Sequence, residues 1–222
     1  MSNAWFVTGT DTEVGKTAAS CALLKAAADR GLRTAAAKPV AAGCDAAGHN
    51  EDALLLMEAM TEPLAYEQVN PVALQEAIAP HIAAEREQRN LQSERLAGMC
   101  RGVALCGADF VLVEGAGGWR VPLSYRETMA QIPKSLQVPV ILVVGMKLGC
   151  INHALMSAES ISRWSLFRRS IVSRRSSPSS RPASTMAISI LIVTARCCSQ
   201  SACRSSPWVN DGAAARATGL KS

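Results

Sequence analysis

Residues 4–9, AWFVTG, form a short apolar run that breaks at Gly9 and resumes, five residues later, as Gly15-Lys16-Thr17 at the head of an alanine- and leucine-rich stretch. A strand that enters so tight a glycine-bearing turn and leaves it as a helix has few ways to continue. The chain must cross back over the sheet, and right-handed crossovers of this kind build parallel sheets. The pattern repeats. Residues 32–43 read as a second buried strand ended by Pro39 and Gly43, residues 110–114 run into Gly115-Ala116-Gly117-Gly118, and VPVILVVG at 138–145 precedes another glycine loop. Residues 16–31, 51–60 and 91–106 read as helices, the first stopped by Gly31. The expected fold is α/β, a three-layer sandwich about a mostly parallel central sheet, in one domain spanning 1–222. In such sheets ligands gather at the carboxyl ends of the strands. The loops at 9–17, 38–43, 114–120 and 145–152 should therefore meet on one edge.

The first of these loops has the ingredients of a phosphate site. Helix-start N–H groups and the helix dipole favour an anion. Lys16 has the reach for β- and γ-phosphate oxygens, and the Thr17 hydroxyl suits Mg²⁺. The usual phosphate loop has four residues before its Gly-Lys-Ser/Thr, whereas this one has five, residues 10–14. A plain strand-to-helix turn with a solvated lysine is the alternative. Lys38 ends the second strand, where a fixed cation could stabilise a transferring phosphoryl group if the sheet sets it beside the first loop. Glu114 closes an apolar strand ahead of glycines that permit close approach of a ligand, and could hold a metal. Asp52 is either a first-turn helix acid or a third metal ligand. His49, His81 and His153 are too dispersed for a triad or a metal centre and read as structural.

The net charge of +5 conceals two compositions. Residues 161–206 hold eight Arg, 14 Ser and no Gly, Lys, Asp or Glu, which leaves 15 basic and 18 acidic residues elsewhere. The organised part of the chain thus offers no basic face for nucleic acid. The eight cysteines show no CxxC pair, and no basic, cleavable apolar leader precedes the first strand. VPVILVVG is far short of the roughly 20 residues a membrane helix needs. Free thiols in the cytoplasm are the expectation.

FVTGTDTEVGKT, KPVAAG, EDALLL, VNP, VLVEGAGGW, PVILVVGMKLGCINHAL and a late PW occur in the order found in the dethiobiotin synthetases, and the chain resembles that family over residues 4–160 and again from about 206. The five-residue spacing is that family's own variant of the phosphate loop. The resemblance implies a P-loop NTPase-like fold and a homodimeric enzyme. It also implies ATP- and Mg²⁺-dependent carboxylation of 7,8-diaminopelargonate with CO₂ and ring closure to dethiobiotin. It implies that Glu13, Val14, Gly15, Lys16, Thr17 and Ala18 cradle the phosphates, that Lys16 and Lys38 are catalytic, and that Thr17, Asp52 and Glu114 hold magnesium. Gly115, Ala116 and Gly117 would border the ATP, with Pro207 and Trp208 near its adenine. Ala42, Gly149, Cys150, Ile151 and Asn152 would bind the substrate, the last four across the dimer.

Three departures accompany the resemblance. Ala42 stands where the family often has Ser, and Tyr125 where an acidic residue is common. Residues from about 163 to 205 do not resemble the family. Their abrupt start, abrupt end and preserved length are what two compensating frameshifts would produce. That segment is expected outside the core, except for MAISILIV, whose apolar run suits a vacant strand position. A nucleotide-switch ATPase and an inactive nucleotide-binding paralogue are the competing functions.

Overall fold

In chain order the secondary structure runs β1 (Ala4–Gly9), α1 (Lys16–Ala28), β2 (Thr34–Ala37), β3 (Ala41–Ala42), α2 (Glu51–Ala59), α3 (Tyr66–Val69) and β4 (Ala73–Leu74). It continues with α4 (Pro80–Arg86), α5 (Ser93–Ala104), β5 (Phe110–Gly118), α6 (Gln131–Leu136), β6 (Val140–Gly145), α7 (Cys150–Arg175) and β7 (Ile190–Ala195). The protein is seen here as a computed structural model that describes residues 3–175 and 190–195.

Five strands form one parallel sheet in the order β2-β5-β1-β6-β7, and β3 pairs with β4 in a separate parallel ribbon. Side chains alternate across the main sheet, as the period of two requires. On one face Phe6, Ala35, Val111, Val113, Val140 and Leu142 pack with Leu96 and Cys100 of α5, Ile132 of α6 and Ile161 of α7. On the other, Val7, Ala36, Leu112, Ile141 and Val143 pack with Leu24 of α1 and Leu56 of α2. Helices on both faces of a sheet make the α/β sandwich of three layers.

The helix ends follow local chemistry. Three alanines close α1 before Gly31, whose φ of 78° is the left-handed geometry of a helix terminator. The Asn50 side chain caps α2 by accepting Ala53 N–H at 3.3 Å, with Glu51 and Asp52 in the first turn. Pro80 opens α4, where its missing N–H costs nothing.

The structure extends the expected strand at 110–114 as far as Gly118, because the glycine loop keeps pairing with β1 through Gly9↔Gly118. It trims the helix expected at 91–106 to Ser93–Ala104 and adds the short elements α3, β4, α4 and α6. The segment from 163 departs from expectation in its first part and meets it in the apolar run, where a strand fills the sheet edge. Helix α7 carries on to Arg175, since neither Gly nor Pro interrupts it before Pro178. The run Ile190–Ala195 within the odd segment takes the edge position beside β6, in register from Val140↔Ile190 to Gly145↔Ala195.

Candidate active site

The loop after β1 is shaped by what cannot fit in it. A Cβ on Gly9 would lie 2.7 Å from Val14 Cγ2 and 3.0 Å from the Asp11 carbonyl oxygen, so only glycine lets the loop fold back on its strand. Glu13 (φ 57°) and Gly15 (φ 85°) are both left-handed, which curls the backbone towards the head of α1. Gly15 caps α1 without a side-chain hydrogen bond, and the first turn carries no acid. The first N–H groups of the helix, at Lys16, Thr17 and Ala18, therefore have no intrahelical acceptor, and the helix's own first turn adds no negative charge against an anion. Lys16 is buried, and its Nζ donates to the Asp11 carbonyl oxygen at 3.1 Å. Burial holds its ammonium below the usual lysine range, with the charge of Glu114 opposing the shift.

Glu114 is the centre of the arrangement. It sits beside Val7 in the β5–β1 register and is fully buried. Its Oε1 accepts the Thr17 hydroxyl at 2.9 Å and Lys38 Nζ at 2.8 Å, and its Oε2 accepts the Ser20 hydroxyl at 2.7 Å. Lys38, just past the end of β2, also donates to Asp52 Oδ2 at 2.5 Å. Burial by itself would lower the pKa of Lys38, but the charges of Glu114 and Asp52 outweigh it and raise the ammonium above its usual range. Burial pushes the Asp52 carboxyl up, and the Lys38 charge and hydrogen bond more than offset that, leaving it below the usual carboxylate range. Thr17, Lys38, Asp52 and Glu114, from four different elements or loops, thus form one hydrogen-bonded cluster.

A second tier holds Lys38 and Asp52 in relation to one another. Lys38 N–H donates to the Val69 carbonyl at 2.7 Å, and the Lys38 carbonyl accepts Asn70 Nδ2 at 2.6 Å. Asn70 Oδ1 accepts the Tyr66 hydroxyl at 3.0 Å, and that hydroxyl in turn accepts the Asn50 N–H at the start of α2. One chain of bonds thus runs from the backbone of Lys38 to the cap of the helix that bears Asp52.

The remaining glycine loops close around the first. Gly115 has Phe6 Cζ 2.8 Å from its Cβ direction, Gly117 is left-handed at φ 61°, and Gly118 lies against the carbonyls of Gly9 and Thr10. Ala116 is half-buried between them. Gly145, ending β6, has Val14 Cγ1 2.7 Å from its Cβ direction, and its N–H reaches Thr10 Oγ1 at 3.4 Å. All four loops do meet at the carboxyl edge.

Other expected site residues stand apart. Ala42 lies half-buried on β3, opposite Leu74. Gly149 (φ 88°) leads into α7, where Cys150 is half-buried and Ile151 and Asn152 are exposed. Among the described residues no hydrogen bond joins these five to the Glu114 cluster. Pro207 and Trp208 lie outside the described residues. His49 packs edge-on to Tyr66, and His81 meets Tyr125 edge-on at a centroid distance of 6.3 Å. Ser20, Asn70, Tyr66, Asp11 and Lys147 were not singled out from sequence. Ser20 did carry a signal, since it lies four residues after Lys16 and three after Thr17, on the same face of a helix.

The chain matches the family model described as an AAA domain over residues 3–182, further than the motifs alone carry the likeness. It is 56% identical over 160 residues to the ATP-dependent dethiobiotin synthetase BioD of Marinobacter nauticus, covering 71% of this chain and 68% of that one. The protein of the same name from Cellvibrio japonicus is 59% identical over 161 residues, or 71% and 70% of the two chains. That of Yersinia pestis is 47% identical over 184 residues, or 82% and 76%.

Proposed function

Because this chain belongs to the ATP-dependent dethiobiotin synthetase family, we propose that the cluster around Glu114 and the uncapped head of α1 carry out ATP-driven ring closure to dethiobiotin. The activity is that of a ligase forming C–N bonds in biotin biosynthesis. One observation supports this reading above the others. A fully buried carboxylate, Glu114, joins the phosphate-loop hydroxyl of Thr17 to the buried ammonium of Lys38. Nucleotide phosphates at the helix head would then lie within reach of a fixed cation.

The substrate is 7,8-diaminopelargonate. One of its amines takes up CO₂ as a carbamate, and a carbamate oxygen attacks the γ-phosphorus of ATP, releasing ADP. The second amine then attacks the carbamoyl carbon, closes the ureido ring and expels phosphate. The N–H groups of residues 13–18 cradle the polyphosphate, and Lys16 leaves the Asp11 carbonyl for β- and γ-oxygens. Lys38 stabilises negative charge on the carbamate and the transferring phosphoryl group, where preorganised charge counts most. Gly115, Ala116 and Gly117 keep side chains clear of the nucleotide.

Thr17, Asp52 and Glu114 offer one hydroxyl and two carboxylates around the positive charge of Lys38. That all-oxygen donor set suits Mg²⁺. Held there, such an ion would supply positive charge to offset the negative charge of the nucleotide.

We further read the chain as one domain over 1–222, acting in the cytoplasm as a homodimer. No helix among the described residues is long and apolar enough to cross a membrane. Leu148, Ile151, Leu155 and Met156 are all exposed at the start of α7, and an apolar stripe at that spacing suits contact with a second copy. There Gly149, Cys150, Ile151 and Asn152 would receive the substrate carboxylate at a helix N-terminus, with Ala42 lining the other side. Pro207 and Trp208 remain the proposed adenine neighbours.

Incubating the purified protein with diaminopelargonate, bicarbonate and MgATP tests the reading. Dethiobiotin with stoichiometric ADP is expected. ATP turnover without product would favour a switch ATPase, and neither would favour an inactive paralogue.

A further inference from the structure

The loop between β6 and α7 holds the phosphate loop through charge as well as packing. Lys147 Nζ donates to Asp11 Oδ2 at 2.7 Å, while the Asp11 carbonyl oxygen accepts Lys16 Nζ at 3.1 Å and Oδ1 accepts the Thr12 N–H at 2.9 Å. Asp11 is therefore gripped on one side by the lysine destined for phosphate and on the other by a lysine from a different strand's loop. Its carboxylate is a negative charge inside a loop that has to admit a polyanion, and like charges at such range repel. We propose that Lys147 is a positioning residue for the nucleotide. By pairing with Asp11 it cancels that carboxylate's charge and turns it away from the polyphosphate.

The geometry explains why the effect belongs to binding and not to folding. Both side chains are about half exposed, 53% for Lys147 and 47% for Asp11, and exposed pairs add little to stability. The hydrogen bond from Lys147 nevertheless holds the Asp11 carboxyl below its usual range, with the Thr12 N–H adding to it.

The inference rests on the ATP reading above, and the test separates the two. A non-hydrolysable ATP analogue with Mg²⁺ is titrated calorimetrically into the full-length wild type, Lys147→Gln, Lys147→Arg, Asp11→Asn and the Asp11→Asn/Lys147→Gln double variant. Lys147→Gln should weaken binding by about two- to fivefold, the range of a modest charge interaction, while Lys147→Arg stays near wild type. The double variant should return to within about twofold of Asp11→Asn, since the charge to be cancelled has gone. Unfolding midpoints of all variants without ligand should agree. A double variant as weak as Lys147→Gln would mean that Lys147 touches phosphate directly, and would overturn the proposal. So would a Lys147→Gln protein of unchanged affinity. A folded wild type that binds no analogue at all would sink the ATP reading, and this inference with it.

Discussion

Replacing Lys38 with methionine keeps the apolar stem and removes the charge, and the structure gives this substitution two separable consequences. Glu114 is fully buried and accepts three hydrogen bonds, from Thr17, Ser20 and Lys38, of which Lys38 alone carries a compensating charge. Breaking a buried ion pair by removing one partner costs about 3–5 kcal/mol. The two hydroxyl donors survive, so the lower end, about 3 kcal/mol, is expected from a total of about 5–15 kcal/mol. With a urea m-value of about 2–3 kcal/mol/M for a chain of this size, the unfolding midpoint should fall by about 1–1.5 M. Tryptophan fluorescence would report it, since Trp119 is buried in the core and exposed on unfolding. Adding Glu114→Gln should restore at least about half of the loss, because the uncompensated charge is then gone. Dethiobiotin formation should drop by well over tenfold in both variants, or more than about 1.4 kcal/mol of barrier. A midpoint shift below about 0.3 M, or a double variant no more stable than the single, would refute the view that Lys38 neutralises Glu114. A rate loss under about tenfold would refute its part in the chemistry.

Lys16→Ala should act oppositely. Its described bond is to one backbone carbonyl, so stability should hold while affinity for a MgATP analogue drops by about tenfold or more, as lost charge-assisted bonds imply; calorimetric titration checks both. Gly145→Ala drives a methyl to within 2.7 Å of Val14 Cγ1 and should cost about 1–3 kcal/mol in urea unfolding, with partial recovery in a Val14→Ala background. The Lys38–Asp52 pair predicts a pH window. Asp52, depressed below its usual 3.8, contributes stability present above that value and lost as pH falls through its lower folded value. Lys38, raised above its usual 10.5, contributes stability present below that value and lost as pH rises through its higher folded value. Urea midpoints measured from acid to alkaline pH should show the acid limb shrink in Asp52→Asn, and an unchanged limb would count against the pairing.

The sequence made β1, β5 and β6 and the convergence of their loops legible because each of these apolar runs ends at a glycine that has a physical reason to be there. Gly9 and Gly145 both yield space to Val14, and left-handed Gly15 and Gly117 could hardly be anything else. Lys38, Asp52 and Glu114 were recognisable as candidates, yet nothing local says that one ammonium bridges the two carboxylates. That follows from β2 lying next to β5 and not next to β1. The Asn70–Tyr66–Asn50 chain was invisible for the same reason, since it links residues whose proximity depends on the short elements α3 and β4. Those elements, with four and two residues, are too brief to carry a hydrophobic period. Asp11 and Lys147 are 136 positions apart and meet only because β1 and β6 are neighbours.

The sheet's fifth strand has a consequence of another kind. Ile190–Ala195 lies in a stretch without the family's motifs, yet it pairs with β6 along its full length. The slot it fills asks for little: six residues, a free backbone on one side, and a composition such as ILIVTA that favours extended chain. Many unrelated peptides meet that specification. The phosphate loop, by contrast, rejects even a methyl group at Gly9. The two parts of the fold thus differ in how closely geometry constrains their sequence: the loop after β1 leaves no room for a Cβ at Gly9, whereas the outer strand joins β6 through a backbone ladder that many extended segments could supply.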